Sequence, residues 1–241
     1  MQKVSRNKRV FPAELAYLLA LVLLAFAVAM LITAGFGVSM IVAPAYLLSL
    51  KVSILSFGQA EYVLQAGVFV VFCVVMGQFR WIYLSSFGTC LLYGAVLDLW
   101  RRLPLFDPQV TAPGSLPLWG RLLLFLCGVL LTALSVSLFY KTYLYPQVYD
   151  FFVKGVSQKY TMPLPRFKTL FDLSCLLVAV VLSLLFFGRI TAIGWGTLVM
   201  AVCNGTLIGW FGKQFDRIWT IQPLFPRFAA HFDFAPLCAV G

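Results

Sequence analysis

Eight acidic residues and a single histidine supply nearly all the conventional acid–base chemistry in these 241 residues, so position decides which of them could act. Asp150 is the acid nearest the middle of an apolar stretch, at the end of Tyr143-Leu144-Tyr145-Pro146-Gln147-Val148-Tyr149-Asp150. An ionisable group at membrane depth is costly to keep and points to function. Such an acid would bind a coupling proton or a cationic solute, and on a helix Lys154, four residues on, would face it as an ion-pair partner. Glu61 follows Ser56-Phe57-Gly58-Gln59 at the start of another apolar stretch, and Asp172 stands four residues after Lys168. These three lie near expected helix ends, where side chains reach back to water. Asp98, just before Trp100-Arg101-Arg102, reads as an interface anchor.

Other chemistries lack their residues. There is no Walker A sequence, no HExxH or GxSxG, and no Cys/His cluster, so neither a metal, a cofactor nor an enzymatic role is expected. Five of the six cysteines lie in apolar runs without CxxC spacing and read as small packing residues. Asn204-Gly205-Thr206 matches a glycosylation sequon but sits inside an apolar run.

The elements that must position these groups are helices in lipid. Of all residues 62% are hydrophobic and only 11% charged, against roughly a quarter charged in soluble domains. Charge-free stretches run over 15–34, 62–79, 81–97, 122–140, 173–188 and 190–212. Each is close to the ~20 residues a helix needs to cross a bilayer core, and nothing alternates as a membrane β-strand would. The expected fold is an all-α polytopic membrane protein with the lipid bilayer as its first partner. The basic start of the chain reads as the flank of a retained first helix rather than as a signal peptide, because the apolar run is too long.

Two further segments, around Pro44 and Pro146, are shorter or more polar. Counting both as crossings gives eight helices, at 13–34, 36–50, 60–79, 81–99, 119–140, 142–156, 168–188 and 190–212. Fifteen basic residues then share the side of both termini, and only Arg80, Lys141 and Arg189 lie opposite. That is the distribution the positive-inside rule requires, so the charge of +10 reads as orientation rather than nucleic-acid binding. The expected order is a basic cytoplasmic segment 1–12, a four-helix repeat 13–103, a Pro-rich cytoplasmic linker 104–118, a second repeat 119–213 and an interfacial tail 214–241.

The halves echo each other. Gly88-Thr89 recurs as Gly196-Thr197, Pro44 as Pro146, and Arg80 as Arg189. Four crossings per half make the repeats parallel. Gly88, Thr89, Gly196, Thr197 and the small-xxx-small pair Gly205 and Gly209 are expected to pack helices. Paired short, Gly/Pro-interrupted segments in the two halves are the best sequence pointer to a transporter site. The candidate solute-binding residues are therefore Ser39, Pro44, Glu61, Tyr145 and Asp150.

The stretch Ala34-Gly35-Phe36-Gly37-Val38-Ser39, then Phe57-Gly58-Gln59-Ala60, then Gly88-Thr89 through Gly94 with Asp98, resembles the YczE/YyaS/YitT family of bacterial multi-pass membrane proteins. Met40 stands where that family often has proline. The resemblance implies a bacterial cytoplasmic membrane location and little about activity. The reading is a permease for an unidentified small solute, with its site between the repeats. The alternative is a non-transporting regulator or scaffold, as a homo-oligomer or with a partner subunit.

Overall fold

The computed structural model describes residues 9–232, the side chains of Arg9, Leu164 and Pro165 excepted. Residues 1–8 of the basic segment, and the tail beyond Phe232 with Cys238, lie outside the described residues. The chain is mostly helical. A short strand β1 (Arg9–Pro12) leads into α1 (Ala13–Ala34), followed by α2 (Ala43–Lys51), α3 (Phe57–Met76), a single 3-10 turn at Trp81–Tyr83 and α4 (Leu84–Trp100). After the linker come α5 (Leu118–Lys141), α6 (Val148–Lys159), α7 (Leu164–Phe187), α8 (Trp195–Ile218), β2 (Trp219–Gln222) and a short α9 (Pro226–Ala229).

Among the described residues five helices, Ala13–Ala34, Phe57–Met76, Trp81–Trp100, Leu118–Lys141 and Arg166–Phe187, are long and apolar enough to cross a membrane. Burial is inverted relative to a water-soluble domain. Glu61, Gln65, Ser86 and Thr197 are fully enclosed, while Leu177, Leu185 and Val202 on the outer faces are 65–78% exposed.

Helix directions follow from contacts at both ends of each pair. Along α1, Glu14 accepts from Tyr143 beyond the end of α5, and Arg121 at the start of α5 donates to the Ala34 carbonyl, so α1 and α5 are antiparallel. Tyr17 meets Thr89 and Phe26 meets Trp100, so α4 runs parallel to α1. Gly58 bonds Asp98 and Phe72 packs on Tyr83, which sets α3 antiparallel to α4. Phe125 packs on Trp195 and Lys141 pairs with Asp216, so α8 is parallel to α5. Strand β1 pairs in parallel with β2, and Glu14 also accepts from the Leu224 amide. Both described termini therefore share one face of the bundle, the terminal face. The linker, whose Gly114 amide bonds the Thr33 carbonyl at the other end of α1, occupies the opposite, linker face.

These directions correct the expected count. Helix α1 ends at the linker face and α3 begins there, so the chain between them enters the bundle and returns. Helix α2 has nine residues, about 14 Å of rise against a core of roughly 30 Å. Likewise α5 ends and α7 begins at the terminal face, and α6 is a twelve-residue return stroke. Among the described residues six helices run from one face of the bundle to the other and two are re-entrant, one from each face. With three traverses per half, the second half runs opposite to the first and the linker lies across from the termini. The parallel relation and the linker on the termini's side do not hold.

Local chemistry explains the re-entry. Gly37 has φ +103°, and a Cβ there would lie 2.5 Å from the Gly194 amide nitrogen, so only glycine lets these two segments cross. Pro44 is the second residue of α2 and Pro146 precedes α6. Pro44 opens its helix, where a missing N–H costs nothing, and Pro146 lies just ahead of the Gln147 cap of α6; neither kinks a helix. Asp98 is more than an anchor. It accepts from the Ser56 hydroxyl and from the Gly58 amide at 2.9 Å, and with the Ser56–Gln59 capping box it fixes the start of α3.

Candidate functional site

Each re-entrant helix begins inside the bundle, against the third helix of the other half. On the α6 side the space is filled. Gln65 of α3 reaches the α6 N-terminus, accepting from the Val148 amide at 3.1 Å and donating to Gln147 at 3.3 Å and to Glu61 at 3.1 Å. The three side chains are 0–6% exposed. Nearby, the Thr89 hydroxyl donates to the Tyr145 carbonyl at 2.9 Å and meets the Tyr17 hydroxyl at 2.6 Å. The Tyr145 ring packs on Phe151 and Phe232.

On the α2 side the equivalent space is open. A cavity of about 500 Å³ is bounded by Ser39, Met40 and Ile41 before α2, Tyr140 of α5, Lys168, Thr169 and Asp172 of α7, and α8 from Met200 to Gly209. That volume suits a small organic molecule. Lys168 is bracketed by two carboxylates, Asp150 at 3.2 Å and Asp172 at 3.4 Å. Tyr140 donates to Asp150 at 2.9 Å. The wall therefore carries two acids for one base. Asp172 lines the cavity itself, and Asp150 lies behind Lys168, holding it and Tyr140 in place.

The expected site residues divide accordingly. Ser39 lines the cavity, where its carbonyl accepts from the Val42 and Ala43 amides at 3.0 and 2.9 Å. Asp150 braces the wall, and its cation comes from α7. Glu61 and Tyr145 belong to the filled side, and Pro44 is packed in the core of α2. Glu61 does not reach water near a helix end but is fully enclosed. Sequence reasoning missed Tyr140, Asn204, Gln65, Gln147 and Tyr149, and set Lys168 and Asp172 aside as surface groups. A signal was present for Gln65, one helical turn after Glu61 and so on the same face.

Of the expected packing residues, Thr89 and Thr197 do bridge elements, and Gly196 admits Phe36 and Phe125 closely. A Cβ at Gly88, Gly205 or Gly209 would meet nothing within 4 Å, so these three pack no helix within the described residues.

Lys51, last in α2, caps the C-terminus of α7 through the Phe186 carbonyl at 3.2 Å. Lys159, last in α6, caps α3 through the Val75 and Met76 carbonyls at 2.8 and 3.1 Å. No curated protein matches this chain, and no solved structure does. The two re-entrant helices and every residue of the cavity fall within one family: the chain belongs to the family of unknown function DUF6198, which matches residues 11–213.

Proposed function

We propose that this protein is a permease of the cytoplasmic membrane, built as an inverted repeat, with a solute site in the α2-side cavity. The observation that carries the reading is that cavity, between elements of both halves, with a carboxylate in excess on a wall otherwise made of apolar side chains, hydroxyls and the Asn204 amide. Buried ionisable residues facing a cavity are the usual mark of a solute or ion path. Two acids about one lysine favour a small solute carrying positive charge.

Support for the inverted repeat is chemical as well as directional. Thr89 donates to the Tyr145 carbonyl ahead of α6, and Thr197 donates to the Val38 carbonyl ahead of α2, at 2.9 and 2.7 Å. The lysine caps from Lys51 and Lys159 correspond in the same way. Inverted repeats with broken or short helices meeting at mid-depth are a common plan for secondary transporters.

In this topology Arg9, Arg80, Lys141, Lys154, Lys159, Arg166, Lys168, Lys213, Arg217 and Arg227 belong to the terminal-face side. Lys51, Arg101, Arg102, Arg121 and Arg189 belong to the other. Ten against five among the described residues supports a cytoplasmic position for the termini.

The test is thermal stabilisation of the purified protein by a panel of small organic cations, anions and neutral solutes. The permease reading expects a cationic solute to raise the melting midpoint, and Asp172→Asn to remove that shift. No shift from any solute, or a shift untouched by Asp172→Asn, would favour the non-transporting scaffold instead.

A further inference from the structure

Among the described residues Glu61 is the one buried carboxylate that the cavity does not use. It is 0% exposed. Its Oε2 accepts from the Gln65 amide at 3.1 Å, while its Oε1, itself shielded from solvent, has no hydrogen-bond partner. The groups facing it are Gln65 on its own helix, Cys90 and Tyr93 on α4, Tyr149 on α6 and Cys175 on α7. None is a cation. Among the described residues no Lys, Arg or His lies within ion-pair distance of Glu61, and the buried cation Lys168 is held by Asp150 and Asp172.

An ionised carboxylate in that setting would be an uncompensated charge at low dielectric, among the most costly arrangements in a protein interior. A proton on Oε1 removes the charge and gives the orphaned oxygen a donor function. The Tyr149 hydroxyl beside the carboxyl can donate to it, but a phenol brings no positive charge to balance an ionised form. Cys175 of α7 lies within electrostatic reach of both Glu61 and the Lys168–Asp172 pair.

We propose that Glu61 is a proton-binding site, loaded in this conformation, in which the α6 side is closed. Its use as the coupling site for transport rests on the permease reading, in which closing the α2 side and opening the α6 side would expose Glu61 and release the proton to water. No other bond changes: the proton leaves Oε1 for solvent and returns on closure.

The experiment is infrared spectroscopy of the full-length purified protein at neutral pH, reading the carbonyl stretch of a protonated carboxylic acid. Wild type is expected to show this band, shifted on exchange into D₂O. Glu61→Gln should lose it entirely, and Asp172→Asn should keep it. Glu61→Asp, a milder variant should the glutamine form misfold, should move its frequency. Absence of the band in wild type, its survival in Glu61→Gln, or an unmoved band in Glu61→Asp would overturn the proposal. So would an absent band together with a sodium-dependent rise in melting midpoint, which would make Glu61 a metal-cation ligand. A solute panel that gives no response bears on the permease reading alone and leaves the band as it is.

Discussion

The α2 and α6 regions are built alike and finished differently. Each has an extended lead-in whose carbonyl is held by a threonine from the other half, a short helix starting inside the bundle, and a terminal lysine that caps a neighbour. At α6 the space in front of the helix is taken by amides: Gln65 fills it and bonds the first free N–H. At α2 the matching α7 positions carry Lys168 and Asp172, which bond each other and leave a cavity. A neutral amide can close on a helix N-terminus and stay dry, whereas an ion-paired wall keeps a polar surface for which a solute can compete. The pair teaches that two regions built alike need not be finished as equal sites.

The largest expected effect comes from breaking the charged wall. Lys168→Met leaves Asp150 and Asp172 facing each other without their cation, and should cost about 3 kcal/mol or more of stability, read from the SDS-unfolding midpoint. A change below about 1 kcal/mol would mean the pairs are already solvated. On the closed side, Gln65→Leu removes the partner of the Val148 amide and of Glu61, for a loss of about 2 kcal/mol by the same assay. The symmetry itself is tested by Thr89→Val and Thr197→Val, each expected to cost about 1 kcal/mol. Loss from one and not the other would mean that only one of the matched bonds bears weight. Smallest are Gly205→Ala and Gly209→Ala, which meet open space and should stay within about 0.5 kcal/mol.

Much of the fold could be read directly. Run lengths located the long helices, and α1 occupies the residues expected, 13–34. Helix α3 starts at Phe57 rather than at residue 60 because Ser56 and Gln59 form a capping box, a pattern visible in the sequence. What composition could not give was direction. Counting basic residues favours eight crossings because that count puts Lys51, Arg101, Arg102 and Arg121 on the side of the termini. Lys51 instead ends a re-entrant helix and bonds the Phe186 carbonyl of α7, a use that depends on tertiary contacts. The runs at Pro44 and Pro146 stand out in the sequence as short or polar, but that helix α2 is confined to Ala43–Lys51 is visible only in the structure.

The site was legible in its parts and not in its grouping. The Lys168–Asp172 spacing was evident, but its burial depends on Asp150 arriving from α6. Glu61 looked like a helix-end acid because nothing local shows that α4, α6 and α7 converge on it.

The central claim is that α2 and α6 return to the face they came from. It is tested most directly by single cysteines at Ser53 and Gln158, both exposed, in a background with the six native cysteines replaced. Each is labelled with a membrane-impermeant maleimide in right-side-out and in inverted vesicles. The re-entrant architecture predicts that the two positions label from opposite sides, with Gln158 on the side of the termini. Labelling of both from the same side would restore eight crossings and contradict the account.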